Sequence, residues 1–416
     1  MNRSVIAFVG QVVPDTPEYD ILGFTRAGNL AQIGFVDGLV HAGLPLDVVL
    51  SSQPIAYFPR SQTLVRGSRS VALFPGVAIK LVPLVNVFML RDALRALYIY
   101  GYLFLWSLRH IRKRRLILCY NLSVPPILPL LVLSRMTGTK VIGILYDVVW
   151  PEGFTYDFVR HTVYKTLSVM AQWCIPRLDG RIVITDSIAR KFAPGRSFLR
   201  IDGGVTELVI NRLFPLETLE HNDRLTLLFA GGIDEWNHLP LLLQMMRERP
   251  DARIRLWLAG NGALVHLVKA AAQADPRIQY FGTLNHSQLF DLYQKADVLL
   301  NLRNTKDSTT QYSFPSKLLE ILAVGKVVIT TPIAHVDETY APYCFVLKEE
   351  SPQALFERIQ EITALSPEER LAFGQRARDY MLREHTWKRQ GEKIRAYLEH
   401  EVLGEKIETQ RRGEKS

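Results

Sequence analysis

The segment QYSFPSKLLEILAVGKVVITTP, Gln311 to Pro332, decides how this chain is read. It runs as a loop, a short helix, a glycine stop and a buried strand. Leu318, Leu319, Ile321 and Leu322 suit an interior, and Gly325 stands where a helix takes its left-handed closing residue. Ser313, Lys317 and Glu320 recur at i, i+4 and i+7, so they share one face. Pro315 and hydroxyls occupy the first turn. An interior helix thus brings an N-terminus, a lysine and a carboxylate to one place.

Outward from this helix the pattern is βα throughout. Before it come the strand-like LTLLFAGGI, the helical LPLLLQMMRER, the strand-like IRLWLAGNG, the helical HSQLFDLYQKA and the strand-like DVLLNLR. The amino-terminal half has the same rhythm in VIAFVG, GNLAQIGFVDGLVHAG, LDVVLSS, RLILCYN, KVIGILYDVV and GRIVITD. Short β-rich runs bounded by Gly, Pro and Asp, with helices between, predict parallel sheets. The expected organisation is two doubly wound, Rossmann-like α/β domains, residues 1–200 and 225–385, facing a central cleft. Residues 201–224 lack a period and read as the linker. Residues 386–402 read as a terminal helix and 403–416 as a charged tail.

Glycine and polar residues gather at the strand exits: Gly231 and Gly232, then Gly260, Asn261 and Gly262, then Asn304 to Asp307. The first βα turn, FVGQVVPD, carries no GxGxxG, which argues against a dinucleotide oxidoreductase. Free amides at Ser316 and Lys317, the helix dipole and the lysine charge favour a phosphate. Glu320, one turn deeper, can accept hydrogen bonds from the vicinal hydroxyls of a ribose. These are parts of a nucleotide-diphosphate clamp. A solvent-facing Lys317–Glu320 pair worth ~0.2–0.5 kcal/mol fits the local sequence too. Asn29 and Gln32 stand at a helix start beneath such a ligand, although Asn29 also reads as a cap. Asp147, at a strand exit, is a candidate acceptor-side group or a turn residue.

SFPSKLLEILAVGKVVIT resembles the signature helix of glycosyltransferase family 4, retaining enzymes of GT-B fold. LLFAGGIDEWNHLPLLLQMM, LWLAGNG and YFGTLNHSQLFDLYQKADVLLNL resemble the family's carboxy-terminal domain in the same order. AGNLAQIGFVDGLVHAG resembles the loop and helix under the donor, and HTWKRQGEKIRAYLE the terminal helix that crosses back to the amino-terminal domain. The resemblance implies transfer of a sugar from a UDP- or GDP-sugar to a glycan or lipid-linked acceptor, without metal or other cofactor. It implies a donor site of Asn29, Gly231, Gly232, Asn261, Arg303, Tyr312, Ser316, Lys317 and Glu320, with Lys317, Glu320 and Asp147 closest to the chemistry. Glu320 matches the second glutamate of the Glu-x7-Glu motif, whereas Tyr312 stands in place of the first. The usual Arg and Lys after the first strand of that domain fall near Gly232 and Asn237, and neither is basic. A non-catalytic binding protein and a sugar-nucleotide epimerase are the alternatives. RNTKDSTTQY and QPIAYFPRSQTLVRGSRS read as specificity loops.

Composition sets outer bounds. The chain has 416 residues, 48% hydrophobic and 22% charged, room for two or three domains. Cys119, Cys174 and Cys344 form no CxxC pair, which argues against a zinc cage or disulfide framework and for a reducing compartment. The amino terminus lacks a secretory pattern and no apolar run is long enough to span a bilayer, so a cytoplasmic location is expected. Residues 1–200 hold 23 Lys and Arg against 11 Asp and Glu, and the remainder 27 against 30. LRALYIYGYLFLWSLRHIRKRR, Leu94 to Arg115, sets an aromatic apolar run before Arg112, Lys113, Arg114 and Arg115. That pattern fits a helix lying on an anionic membrane, here the inner face of the plasma membrane, and also a core helix with a basic last turn. No nucleic-acid motif accompanies the basic block.

Overall fold

The computed structural model describes residues 4–16, 19, 26–87, 90–121, 124–146, 158–216, 224–306 and 310–405. It divides into two compact units: residues 1–202 with 387–416, and residues 203–386.

The first unit contains β1 (Ser4–Gly10), α1 (Arg26–His41), β2 (Leu46–Ser51), β3 (Val65–Arg66), β4 (Arg69–Phe74), β5 (Val77–Leu81), β6 (Leu84–Val85), α2 (Leu90–Arg109), β7 (Arg114–Tyr120), α3 (Val124–Thr137), β8 (Lys140–Leu145), α4 (Phe158–Cys174), β9 (Gly180–Val183), α5 (Asp186–Phe192) and β10 (Leu199–Arg200). Its main sheet runs β10-β9-β8-β7-β1-β2-β5-β4, parallel except at the β4 edge. β1 is buried along its whole length, as a strand covered on both faces must be, which is why it reads as an unbroken apolar run. Strand order reverses between β1 and β7, so the carboxyl ends there form a topological switch point. The stretch 53–70, read above as loop, carries β3 and the start of β4. β3 pairs antiparallel with β6, and β4 with β5.

The second unit contains α6 (Glu207–Ile210), β11 (Leu225–Ala230), α7 (Leu239–Glu248), β12 (Ile254–Ala259), α8 (Val265–Ala274), β13 (Ile278–Tyr280), α9 (His286–Lys295), β14 (Val298–Asn301), α10 (Ser316–Val324), β15 (Val327–Thr330), α11 (Val336–Tyr340), β16 (Phe345–Val346), α12 (Pro352–Ala364) and α13 (Pro367–Glu384). Its parallel sheet runs β13-β12-β11-β14-β15-β16, with the switch point between β11 and β14. Leu227, Phe229, Leu256, Leu300 and Ile329 from these strands pack with Leu242, Met245 and Met246 of α7 in one core. Part of the stretch expected as linker is built into this unit. α6 is capped by Thr206, and the Val205 amide donates to the His385 carbonyl at 2.6 Å.

Helix α10 is fixed at its carboxyl end. Gly325 closes it in the left-handed region (φ 82°), and α13 approaches so closely that a Cβ on Gly374 would lie 1.9 Å from the Gly325 carbonyl oxygen. Arg378 of α13, buried, donates to the Ala323 carbonyl at 3.2 Å, to the Val324 carbonyl, and to the Phe214 carbonyl at 2.9 Å. A cation thus satisfies the open carbonyls where the helix dipole is negative.

The chain then returns to the first unit as α14 (Trp387–Tyr397), which packs on α1. Their backbones nearly touch: a Cβ on Gly391 would lie 1.9 Å from the Gly38 oxygen.

Candidate active site

The second unit gathers its chemical groups at the β11/β14 switch point. The loops after β11 and β12 lock together backbone to backbone. Gly260, at φ 135°, has no room for a side chain, since its Cβ would fall 1.8 Å from the Gly231 oxygen. The Gly231 amide donates to Ala259 O at 3.0 Å and the Ile233 amide to Asn261 O at 2.9 Å. Among the described residues, the Gly232 amide between them has no partner. Asp234 accepts from the Asn237 amide at 2.9 Å and its side chain at 2.8 Å, so Asn237 is a buried strut of this loop.

At α10 one expectation needs correction. The Ser316 amide is not free, because it donates to the Phe314 carbonyl at 2.9 Å, and the Leu318 amide donates to Pro315 O at 2.7 Å. The Lys317 amide has no partner outside its own helix among the described residues. The exposed Ser316 and half-buried Tyr312, in a single 3-10 turn at Thr310–Tyr312, flank this end, and Asn261 is exposed at its own strand exit.

Charge is the decisive feature. Burial pulls the Lys317 ammonium below the ordinary lysine range. Glu320 opposes that pull and Arg303 adds to it. Burial likewise lowers Arg303, offset in part by Asp234. Among the described residues neither cation has a carboxylate within 4 Å. Two half-buried positive groups whose charges act on each other thus stand near a helix N-terminus and an open amide, an arrangement that can take an anion. Glu320 is held from behind: the phenol of Tyr293 on α9, fully buried, donates to its Oε1 at 3.2 Å. Burial and then the Glu320 charge push the Tyr293 phenol far up, so it stays a proton donor.

A second cluster on this rim escaped the sequence reading. The Glu350 carboxylate binds His238 Nε2 at 2.6 Å, and accepts from the Thr305 amide at 3.0 Å and from the Thr305 hydroxyl. It ties the loops after β11 and β14 to the segment after β16. Residues 238, 305 and 350 share no local pattern; the left-handed His238 (φ 54°) is a feature of the backbone alone.

The remaining predicted residues lie elsewhere. Asn29 is in the first unit, in the second turn of α1. Its amide is spent on Val13, accepting from the backbone N at 3.0 Å and donating to O at 2.9 Å. Gln32 likewise accepts from the Gln11 amide at 2.7 Å. Both hold the β1–α1 loop. Asp147 lies outside the described residues. The basic block divides: Arg112 and Lys113 are exposed in a turn, whereas Arg114 and Arg115 open β7. Arg114 pairs with Glu405 at 2.6 Å, and Arg115 donates to the Ser107 and Thr137 carbonyls at 2.8 and 2.6 Å. Among the described residues, no three His, Cys, Asp or Glu side chains are grouped to hold a metal.

Comparison with known proteins places this geometry. The fold is GT-B: sucrose-phosphate synthase from Thermosynechococcus elongatus superposes with a TM-score of 0.63 at 14% identity, covering 95% of this chain and 98% of that one. Anabaena HepE, solved with UDP and glucose, superposes with a TM-score of 0.60 at 14% identity over 94% and 98%. WaaG, a glycosyltransferase involved in lipopolysaccharide biosynthesis, gives 0.57 at 14% over 94% and 99%. Residues 239–406 match a family model described as "Glycosyl transferase-like". No curated protein sequence matches the chain.

Proposed function

We propose that this protein is a retaining hexosyltransferase that moves a sugar from a nucleoside-diphosphate donor to a glycan or lipid-linked acceptor. The observation that carries the reading is the pair Arg303 and Lys317 at the switch point, both lowered by burial and, among the described residues, with no carboxylate within 4 Å. As the glycosidic bond to the diphosphate breaks, negative charge grows on the leaving oxygens. Lys317, Arg303 and the Gly232 and Lys317 amides meet that charge in a fixed arrangement. Glu320, oriented by Tyr293, accepts the ribose hydroxyls. The leaving phosphate oxygen takes the acceptor proton, so no pair of carboxylates is required. HepE was solved in complex with UDP and glucose, which makes a UDP-hexose the first donor to try.

Tyr312 in place of the first motif glutamate, and Gly232 and Asn237 in place of the usual cations, favour a second reading: a GT-B protein that binds donors without turnover. Release of free UDP from a UDP-hexose, lost in Lys317→Ala, supports the transferase. Binding of UDP-hexose with no UDP release and no glycosylated product, across acceptor mixtures, supports the binder.

Membrane association is part of the same proposal. Leu90, Leu94, Leu97, Leu105 and Leu108 of α2 are exposed at helical spacing, followed by Ile111 beside Arg112 and Lys113. Val132 and Met136 of α3 and Val169 and Trp173 of α4 are exposed as well. An apolar stripe with adjacent cations suits an anionic membrane surface, the inner face of the plasma membrane for a lipid-linked acceptor. Among the described residues no helix is long and apolar enough to cross a membrane. Leu97→Asp with Leu105→Asp is expected to release the protein from anionic vesicles; equal co-sedimentation of the variant sinks this part.

A further inference from the structure

Residues 303–306, the segment after β14, carry Arg303 into the candidate site without a helix or strand of their own. Their shape comes from bonds to neighbouring segments of the second unit. The Arg303 amide donates to the Thr331 hydroxyl after β15 at 2.9 Å. The Asn304 amide donates to the Trp236 carbonyl in the loop after β11 at 2.9 Å, and the Asn304 carbonyl accepts from the Thr310 hydroxyl at 2.8 Å. Thr305 gives its amide, at 3.0 Å, and its hydroxyl to Oε1 of Glu350, in the segment after β16. The other oxygen of Glu350, Oε2, lies 2.6 Å from Nε2 of His238, the residue before α7. One carboxylate thus joins the segments that follow β11, β14 and β16.

The joint is enclosed. Glu350 and His238 expose 6% and 13% of their side-chain surface, so a carboxylate left there without partners would be costly. Both Glu350 oxygens are spent on His238 and Thr305. The Arg303 cation, two residues from Thr305, is therefore held in place without being neutralised. His238 keeps φ 54°, a backbone that glycine adopts freely and a residue with a side chain seldom does. Such a conformation persists where the surroundings fix it, and it is common beside functional groups. Here the imidazole it carries reaches Glu350.

We propose that Glu350 is a positioning residue of the candidate active site: paired with His238, it fixes residues 303–306 and, through them, the point at which the Arg303 guanidinium meets a donor diphosphate. The diphosphate rests on the glycosyltransferase reading. Glu350 itself does not touch the ligand. Tied to His238 on one side and Thr305 on the other, it stands near an anion site without acting as its counterion.

The test is a double-mutant cycle in nucleotide affinity, read by calorimetric titration of the full chain with UDP and, separately, GDP. Glu350→Ala is expected to weaken the tighter of the two about tenfold, and Arg303→Ala by at least as much. Because Glu350 acts through Arg303, the double variant should bind as Arg303→Ala does. Glu350→Gln keeps an acceptor for Thr305 and should restore most of the affinity. His238→Gly removes the imidazole and suits φ 54°, so it keeps the turn, and it should weaken binding several-fold only while Arg303 is present. It carries the same cycle where Glu350→Ala does not fold. Losses that multiply in the double variant, or full affinity in both Glu350→Ala and His238→Gly, overturn the proposal and leave the donor site standing. Full affinity in Arg303→Ala overturns it as well. A wild type that binds neither nucleotide overturns the diphosphate reading, and this proposal with it.

Discussion

The two sheets of this molecule have switch points built alike, yet their contents differ in kind. At β11/β14 the cationic end comes from Arg303, in the loop after β14, and Lys317, at the start of α10, whose far end is anchored by Arg378 and Gly374. At β1/β7 a cavity of the first unit is collected from residues 11, 53, 82, 91 and 95, which no sequence window contains. In the first case one helix start, with the loop after the preceding strand, sets charge and geometry together. In the second only the fold brings the residues to one place. A site carried by a helix start and one loop is rigid through them, and a collected cavity is rigid through the loops that line it.

That contrast makes the helix site the more sensitive to single substitutions. Glu320→Ala and Lys317→Ala are each expected to lower kcat/KM for the donor by about 10²–10³, or about 3–4 kcal/mol, while the protein stays folded. Steady-state kinetics with purified variants checks this, and full activity in both would make α10 purely structural. Arg378→Ala leaves buried carbonyls of α10 without partners and should cost about 1–3 kcal/mol of stability, read in urea unfolding. Because α10 carries the site, donor KM should rise in the same variant. A stability loss with unchanged KM would separate anchor from site.

The pH dependence follows from the depressed Lys317. A bound diphosphate holds this lysine protonated, so affinity is full below its pKa in the free protein and falls as pH rises through that value. The fall comes below the ordinary lysine range because burial has lowered the group. Lys317→Arg should remove it. Titration of UDP binding between neutral and alkaline pH decides the matter, and an affinity flat through pH 10 contradicts a charged Lys317 contact. The smallest effect belongs to the support beneath Glu320. Tyr293→Phe deletes one hydrogen bond and is expected to raise donor KM several-fold, about 0.5–1.5 kcal/mol, with kcat nearly kept.

Much of the fold was legible for a physical reason. Strands buried on both faces, such as β1 and β11, must be apolar throughout, and Gly325 marks a helix end by its backbone alone. The β4–β5 edge was not legible. Its residues Arg69 to Leu81 are largely exposed or half-buried and mixed in polarity, so Arg69 and Ser70 read as loop and the rest shows no strand period. Within the candidate site, Lys317 and Glu320 could be named because helix spacing puts them, with Ser313, on one face. Asp234, Tyr293, Glu350 and Arg378 could not, since each acts on a partner from another element. Asn29 shows the same limit: its hydrogen bonds to Val13 join it to a segment 16 residues away, which no local pattern reveals. Arg114 and Arg115 read as the tail of a basic helix, but β7 begins there and directs them to Glu405 and to backbone carbonyls.

The central claim is that Lys317, Arg303 and Glu320 form a nucleotide-diphosphate site. The most direct measurement is the thermal stability of the purified protein against UDP, GDP, ADP, CMP and dTDP, repeated with Glu320→Ala. The account predicts a rise with one diphosphate, UDP first, that Glu320→Ala abolishes. No rise with any nucleotide, or an equal rise in the variant, would contradict it.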